Sequence, residues 1–177
     1  KVLKEIDGIP VLKFQVDRVK QAELVDEIIV ATSNQEGDRQ IANYCNDLDI
    51  LCFRGSENDV LRRYYDCAKE YNASTVVRPT SDCPLIDPIV IDQLISLYQK
   101  THADFAANTV PPEASWWPDG CDVEVFSMQA LAVDFNPEMN AACQKADAHY
   151  SVPKCTDSGF LPAMLKICRQ QVEQPQF

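Results

Sequence analysis

The chain has 177 residues, 46% of them apolar and 24% charged, which suits one domain with a sizeable core. A net charge of −11 excludes nucleic acid as a bulk ligand, since that polymer is bound by neutralising phosphates with Lys and Arg, but it leaves room for a nucleotide. No apolar run approaches the roughly 18 residues a membrane helix needs, and no signal-peptide pattern begins the chain, so a cytoplasmic protein without membrane contact is expected.

Lys1 to Pro10 reads as a loop with an apolar patch at Val2, Leu3 and Ile6 and a turn at Gly8. Lys1 stands where a Met would, so a natural start upstream is expected. Pro10 opens a helical pattern in which Leu12, Val16 and Val19 share a face. Asp26 to Thr32 is a buried-type strand. Gly37-Asp38 starts a helix with Ile41, Ala42, Cys45 and Leu48 on one side, and Ile50 to Phe53 is the next strand. Ser56 and Asp59 have the spacing of a capping box, with Asp in place of Glu or Gln, ahead of a helix carrying Val60, Tyr64, Cys67, Ala68 and Tyr71 in one stripe.

A strand over 74–79 then runs into Thr80-Ser81-Asp82-Cys83-Pro84-Leu85-Ile86-Asp87-Pro88. Asp87 can cap a helix whose first residue is Pro88, where a missing N–H costs nothing. That helix, 88–100, turns Ile91, Leu94, Ile95 and Tyr98 inward. Ala103 to Asn108 is a strand, and Thr109 to Gly120, with its prolines and Trp116-Trp117, is a long loop of the kind that tends to be functional. In a strand over 122–126, a period of two puts Asp122, Glu124 and Phe126 on one face. A helix near 127–135 follows. Beyond Asn136 the pattern decays, with one short element of undecided type at 161–168.

Strands alternating with amphipathic helices imply an α/β domain: three layers, α/β/α, around a mainly parallel sheet. The whole chain, 1–177, reads as that single domain, with 136–177 its least regular part. The eight cysteines include no C-x-x-C pair and several fall on apolar helix faces, so buried thiols of a reducing compartment are expected. Cys143, His149 and Cys155 have the residue types of a zinc site, but match no common spacing.

In a parallel sheet the polar turns Thr32-Ser33-Asn34, Arg54 to Asp59 and Arg78 to Asp82 gather along one edge, at the carboxyl ends of the strands, where such sheets bind ligands. Each has a plainer explanation. Ser56 and Asn58 near a helix N-terminus suit a base or phosphate, yet capping alone accounts for them. Asp82 is a hard oxygen donor suited to Mg²⁺, though an Asp in a turn is commonly just a turn former. Asp122 and Glu124 border either a cleft or an exposed sheet edge, and Trp116 and Trp117 either line a sugar pocket or pack beneath their loop.

Three stretches in order, Phe53-Arg54-Gly55-Ser56-Glu57-Asn58-Asp59-Val60-Leu61-Arg62-Arg63-Tyr64, Arg78-Pro79-Thr80-Ser81-Asp82-Cys83-Pro84-Leu85-Ile86-Asp87 and Pro118-Asp119-Gly120-Cys121-Asp122-Val123-Glu124-Val125-Phe126-Ser127, together resemble the cytidylyltransferases of the spore-coat polysaccharide type. These are relatives of the enzymes that make CMP-activated acidic sugars such as acylneuraminate and 3-deoxy-octulosonate. The resemblance covers roughly residues 1–135 and is carried by the three motifs jointly. It implies a nucleotide-diphospho-sugar transferase (Rossmann-like) fold and transfer of CMP from CTP to an acidic sugar, whose hydroxyl attacks the α-phosphate as pyrophosphate leaves.

The same resemblance implies Mg²⁺ as cofactor, held by Asp82. It puts Arg54, Ser56, Asn58, Asp59 and Arg78 toward the nucleotide, with Asn108, Gly120, Asp122 and Glu124 toward the acceptor sugar or a second metal. The family begins with a central strand and a phosphate-binding loop, of which Lys1 alone could be the last, catalytic residue. The fold is therefore expected to lack its first strand. Ala148-His149-Tyr150-Ser151-Val152 is a poor echo of a later Glu-His-Val-Thr type motif, and nothing before Phe177 supplies the late metal-binding Asp. Little or no turnover is expected of residues 1–177 alone. A non-catalytic nucleotide- or sugar-binding relative, and an enzyme using UTP or GTP, are the alternatives. A homodimer, or a module of a fused protein, is the expected setting.

Overall fold

The computed structural model describes residues 1–81, 83–108, 120–133 and 163–168, the last six as backbone alone. The chain opens with a small antiparallel hairpin, β1 (Glu5–Ile6) and β2 (Ile9–Pro10), where the sequence suggested only a loop. Its two-residue turn, Asp7-Gly8, has φ of 50° and 79°, the left-handed pair that a tight hairpin requires and that Asp-Gly supplies. Helix α1 (Val11–Val19) starts after Pro10, as its apolar spacing implies, and Leu12, Val16 and Val19 are fully buried.

Next come β3 (Glu27–Ser33), a short 3₁₀ turn, α2 (Arg39–Asp47), β4 (Leu51–Gly55) and α3 (Val60–Glu70). The N-cap of α3 is Asp59, whose side chain accepts from the Arg62 N–H, so the cap lies three residues later than the Ser56 box suggested. Ser56 still contributes, because its Oγ accepts from the Asp59 N–H at 3.1 Å. Strand β5 (Thr75–Pro79) leads through the Thr80–Asp87 turn to α4 (Pro88–Thr101), where Asp87 caps the Ile89 N–H and Pro88 is the first helical residue. Then follow β6 (Phe105–Ala107), β7 (Val123–Ser127), α5 (Met128–Val133) and β8 (Ala163–Cys168), which resolves the undecided element at 161–168 as a strand.

Six strands form one sheet in the order β4-β3-β8-β5-β7-β6. Strands β3, β4, β5 and β6 share a direction while β7 and β8 oppose them. The sheet is therefore α/β but mixed: of its neighbouring pairs only β3–β4 is parallel. Strand β7 runs antiparallel to both its neighbours, β5 and β6. The central place between β3 and β5 is held by β8, whose pairing satisfies their facing backbone groups.

Two cores sandwich the sheet. On one face α1, α2 and α4 bury Leu12, Val16, Ile41, Cys45, Ile91 and Ile95 against Val30, Val77, Val123 and Val125. On the other, α3 and α5 bury Tyr64, Cys67, Ala68 and Leu131 against Ile29, Ala31, Val76 and Phe126. The three layers inferred from the alternation of elements are present, and Val123 and Val125 lie opposite Phe126 as the period of two requires. The Trp116-Trp117 loop, the Cys143/His149/Cys155 set and the 148–152 segment lie outside the described residues.

Candidate functional site

The carboxyl ends of β3, β4, β5 and β6, with the entry to β7, lie along one edge of the sheet, because Pro79 pairs with Val123 and Ala107 with Glu124. Along that edge β4 and β5 are three strand positions apart and β4 and β7 four, or about 14 and 19 Å at the usual strand spacing. The turn residues 54–59, 78–81 and 120–124 therefore open onto a common rim. Asp82 is outside the described residues. Lys1 is exposed, and its carbonyl accepts from the Lys4 N–H beside the start of α1.

The β3 turn is occupied with its own structure. Asp38 Oδ2 accepts from Thr32 Oγ1 at 3.1 Å, from Ser33 Oγ at 2.6 Å and from the Ser33 N–H at 3.3 Å. Arg54 stitches this turn to β4, donating from Nε to the Ser33 carbonyl at 3.1 Å and from Nη2 to the Gln35 carbonyl at 2.7 Å. Its guanidinium thus crosses the floor between the first two turns. Asn58 and Asp59 are exposed and Ser56 is half-buried. The Ser56 carbonyl is fixed by Arg63 Nη1 at 2.9 Å, and Arg63 is almost wholly buried. Gly55 matters here by its size: a Cβ would stand 2.7 Å from Phe53 Cε1 and 2.9 Å from Arg63 Cγ.

Further along the rim, Arg78 and Glu124 face each other across β5 and β7 and form an ion pair at 2.5 Å. The guanidinium also lies 5.7 Å from the ring centroid of Tyr64, within cation–π range. Two residues that the motifs direct separately toward nucleotide and acceptor are thus partners. Helix α3 couples the two ends of the rim, since adjacent residues Arg63 and Tyr64 reach the Ser56 turn and Arg78.

Asn108 uses both ends of its amide, donating to the Cys121 carbonyl at 2.7 Å and accepting from the Val123 N–H at 2.9 Å. It thereby fixes the residues on either side of Asp122. Gly120 has φ of 90°, a conformation that suits glycine at the entry to β7. Mg²⁺ takes one or two carboxylates and leaves its remaining positions to water and phosphate oxygens. Asp122, a half-buried carboxylate at the entry to β7, is of the donor type that demand names, and Glu124 is engaged by Arg78.

Sequence reasoning gave no site role to Gln15, Arg18, Asp38 or Tyr64. The signal for Gln15 was present: it lies three residues after Leu12 and four before Val19, so a polar amide sits on a buried face. The Cys83 thiol lies 3.0 Å from Thr80 Oγ1. Cys45, Cys67 and Cys83 are buried free thiols. Burial pushes the Cys67 thiol up to about 12. A hydrogen bond between Cys45 and Cys52 raises the former and lowers the latter, and Arg54 adds to the lowering.

Residues 1–150 match the family model described as cytidylyltransferase. An uncharacterised protein of Methanocaldococcus jannaschii is 36% identical over 133 residues, 74% of this chain and 51% of the relative. A spore coat polysaccharide biosynthesis protein of Bacillus subtilis is 30% identical over 109 residues, 59% of this chain and 45% of its own length. Among solved structures, a cytidylyltransferase from Leptospira borgpetersenii serovar Hardjo-bovis superposes with a TM-score of 0.69 at 30% identity, covering 76% of this chain and 57% of that one. The chain thus spans about half the length of the curated relatives it matches. With the three motifs set on one sheet edge and the match running through all of them, the chain belongs to the cytidylyltransferase family.

Proposed function

We propose that the rim binds CTP with Mg²⁺ and that the protein of which it is part moves CMP to an acidic sugar, releasing pyrophosphate, for cell-surface polysaccharide synthesis in the cytoplasm. The observation that carries this reading is the gathering of the three motif turns on one sheet edge. Family membership supports the nucleotidyl chemistry, and the motif resemblance to enzymes of CMP-activated acidic sugars supports the acceptor class. No helix among the described residues is long and apolar enough to cross a membrane.

Transfer of this kind asks a protein chiefly for in-line positioning and charge neutralisation. Asp82, with Asp122, would hold the Mg²⁺, which when bound neutralises phosphate oxygens. Arg54, Ser56, Asn58 and Asp59 border the nucleotide at the α3 N-terminus, a favourable position for anions. Arg78, oriented by Glu124 and Tyr64, supplies a fixed cation between the nucleotide and acceptor halves. Asn108 and Gly120 set the backbone around Asp122, and Lys1 brings a cation from the α1 end.

The test is Mg²⁺-dependent pyrophosphate release from CTP with an acidic sugar such as 3-deoxy-octulosonate, alongside binding of CTP, UTP and GTP. CTP-selective, Mg²⁺-dependent binding lost in Asp82→Ala is the expected result. Equal or tighter binding of UTP or GTP would overturn the base assignment. Binding without turnover, in the protein extended upstream of Lys1, would make it a non-catalytic relative. Full turnover by residues 1–177 would refute the expected inactivity of this stretch alone.

A further inference from the structure

We infer that Arg63 is a positioning residue for the nucleotide: from beneath the Ser56 turn it fixes that turn's carbonyl and supplies a buried positive charge, which the phosphates of CTP on the rim satisfy. This rests on the reading above in which the 54–59 turn borders the nucleotide. Arg63 is 3% exposed, and its Nη1 donates to the Ser56 carbonyl at 2.9 Å. Its Nε is buried and has no hydrogen-bond partner among the described residues. No carboxylate among the described residues forms an ion pair with it.

Stability alone does not account for that placement. A buried cation is costly unless it is paired, and here a single carbonyl answers it. Arg63 is also the fourth residue of α3, at the end where the helix dipole is positive and disfavours a cation. An unbranched apolar side chain such as Met would fill the same place without either cost. What the arginine adds is a charge and a donor directly under the turn.

The local sequence makes room for it. At Gly55 a Cβ would stand 2.9 Å from Arg63 Cγ and 3.3 Å from Arg63 Cβ, so the glycine lets the arginine stem lie against the end of β4. The turn is then held twice: its carbonyl by Arg63, and its far end by the Asp59 N–H, which donates to Ser56 Oγ at 3.1 Å. An anion set on this turn meets the α3 N-terminus and the guanidinium together. These two positive features oppose each other in the ligand-free protein, and both favour the anion. At about 10 Å and an effective dielectric constant of about 20, one such charge changes a Kd on the order of tenfold.

The experiment measures CTP binding by calorimetry at saturating Mg²⁺, and melting without ligand, in the protein extended upstream of Lys1 and in its Arg63→Met, Arg63→Gln and Asn58→Asp variants. Arg63→Met loses charge and donor together. It should raise the Kd for CTP on the order of tenfold while melting, ligand-free, no lower than wild type. Asn58→Asp puts a negative charge on the exposed part of the turn and should raise that Kd at least about threefold without loss of stability. If Asn58→Asp weakens CTP binding while Arg63→Met leaves the Kd within about threefold of wild type, the role of Arg63 is wrong and the reading of the turn stands. A melting temperature that falls along with affinity in Arg63→Met would mark the arginine as merely structural and also overturn the inference. Should Arg63→Met not fold, Arg63→Gln, which keeps a donor for the Ser56 carbonyl but not the charge, decides by the same two criteria. CTP binding unchanged in Asn58→Asp, or no saturable CTP binding by wild type, overturns the reading of the turn and the inference together.

Discussion

Removing Glu124 tests whether the paired arginine and glutamate are a structural unit of the rim. The two side chains are 16% and 19% exposed, 2.5 Å apart, with Tyr64 closing one side of the guanidinium at 5.7 Å. Losing one partner of a fully buried pair costs about 3–5 kcal/mol, because the survivor keeps its charge without water or counter-charge. An exposed pair is worth less than about 1 kcal/mol. With each side chain less than a fifth exposed, Glu124→Ala should lie near the buried limit, at about 2–4 kcal/mol. The assay is urea unfolding at pH 7 of wild type, Glu124→Ala, Arg78→Met and the double variant, followed by circular dichroism, with the slope m checked for constancy. The double variant should be less unstable than the two singles added, with a coupling of about 1.5–3 kcal/mol. Additive effects, or a Glu124→Ala loss below about 0.5 kcal/mol, would falsify the claim that desolvation makes this pair a unit.

Gly55→Ala should cost about 1–3 kcal/mol in the same unfolding assay, since its Cβ must displace Phe53 or Arg63; a neutral result would mean the Ser56 turn yields freely. Asp38→Ala strands the buried Thr32 and Ser33 hydroxyls and should destabilise by about 1–3 kcal/mol, with faster amide exchange at Ser33 as its local signature. Asp87→Ala removes the cap on α4 and should lower stability by about 1 kcal/mol, whereas Asp87→Asn should restore most of it. Cys67 gives a pH dependence: its folded pKa of about 12 exceeds the ordinary thiol value of 9.0, so its neutral form stabilises the fold fully below pH 9. That contribution falls as pH climbs from about 9 toward 12, with a slope of up to about 1.4 kcal/mol per unit, and Cys67→Ala should flatten the curve over that window.

Much of the fold was legible locally. The buried stripe of α1, the Asp87-Pro88 start of α4 and the two-sided alternation of β7 follow from spacing and backbone chemistry that act over a few residues. The candidate rim was legible in outline for the same reason, because a turn after a strand in an α/β sheet points to the carboxyl edge. The reversed β7 was not legible, because alternation of strands and helices elsewhere in the chain implies a parallel sheet. The direction and central place of β8 carried no local mark, since a short strand reads alike in either direction.

From the amino acids alone came which residues turn inward, where helices begin and which polar turns follow strands, since each depends on neighbours within about four positions. Partnership across the sheet belongs to the folded chain. Arg78 meets Glu124, Asn108 brackets Asp122 and Gln15 reaches Thr80 only once strand order and register are settled. Those pairings join residues up to 65 positions apart, and a shift of register by one residue in β5 or β7 would send Arg78 or Glu124 to the opposite face.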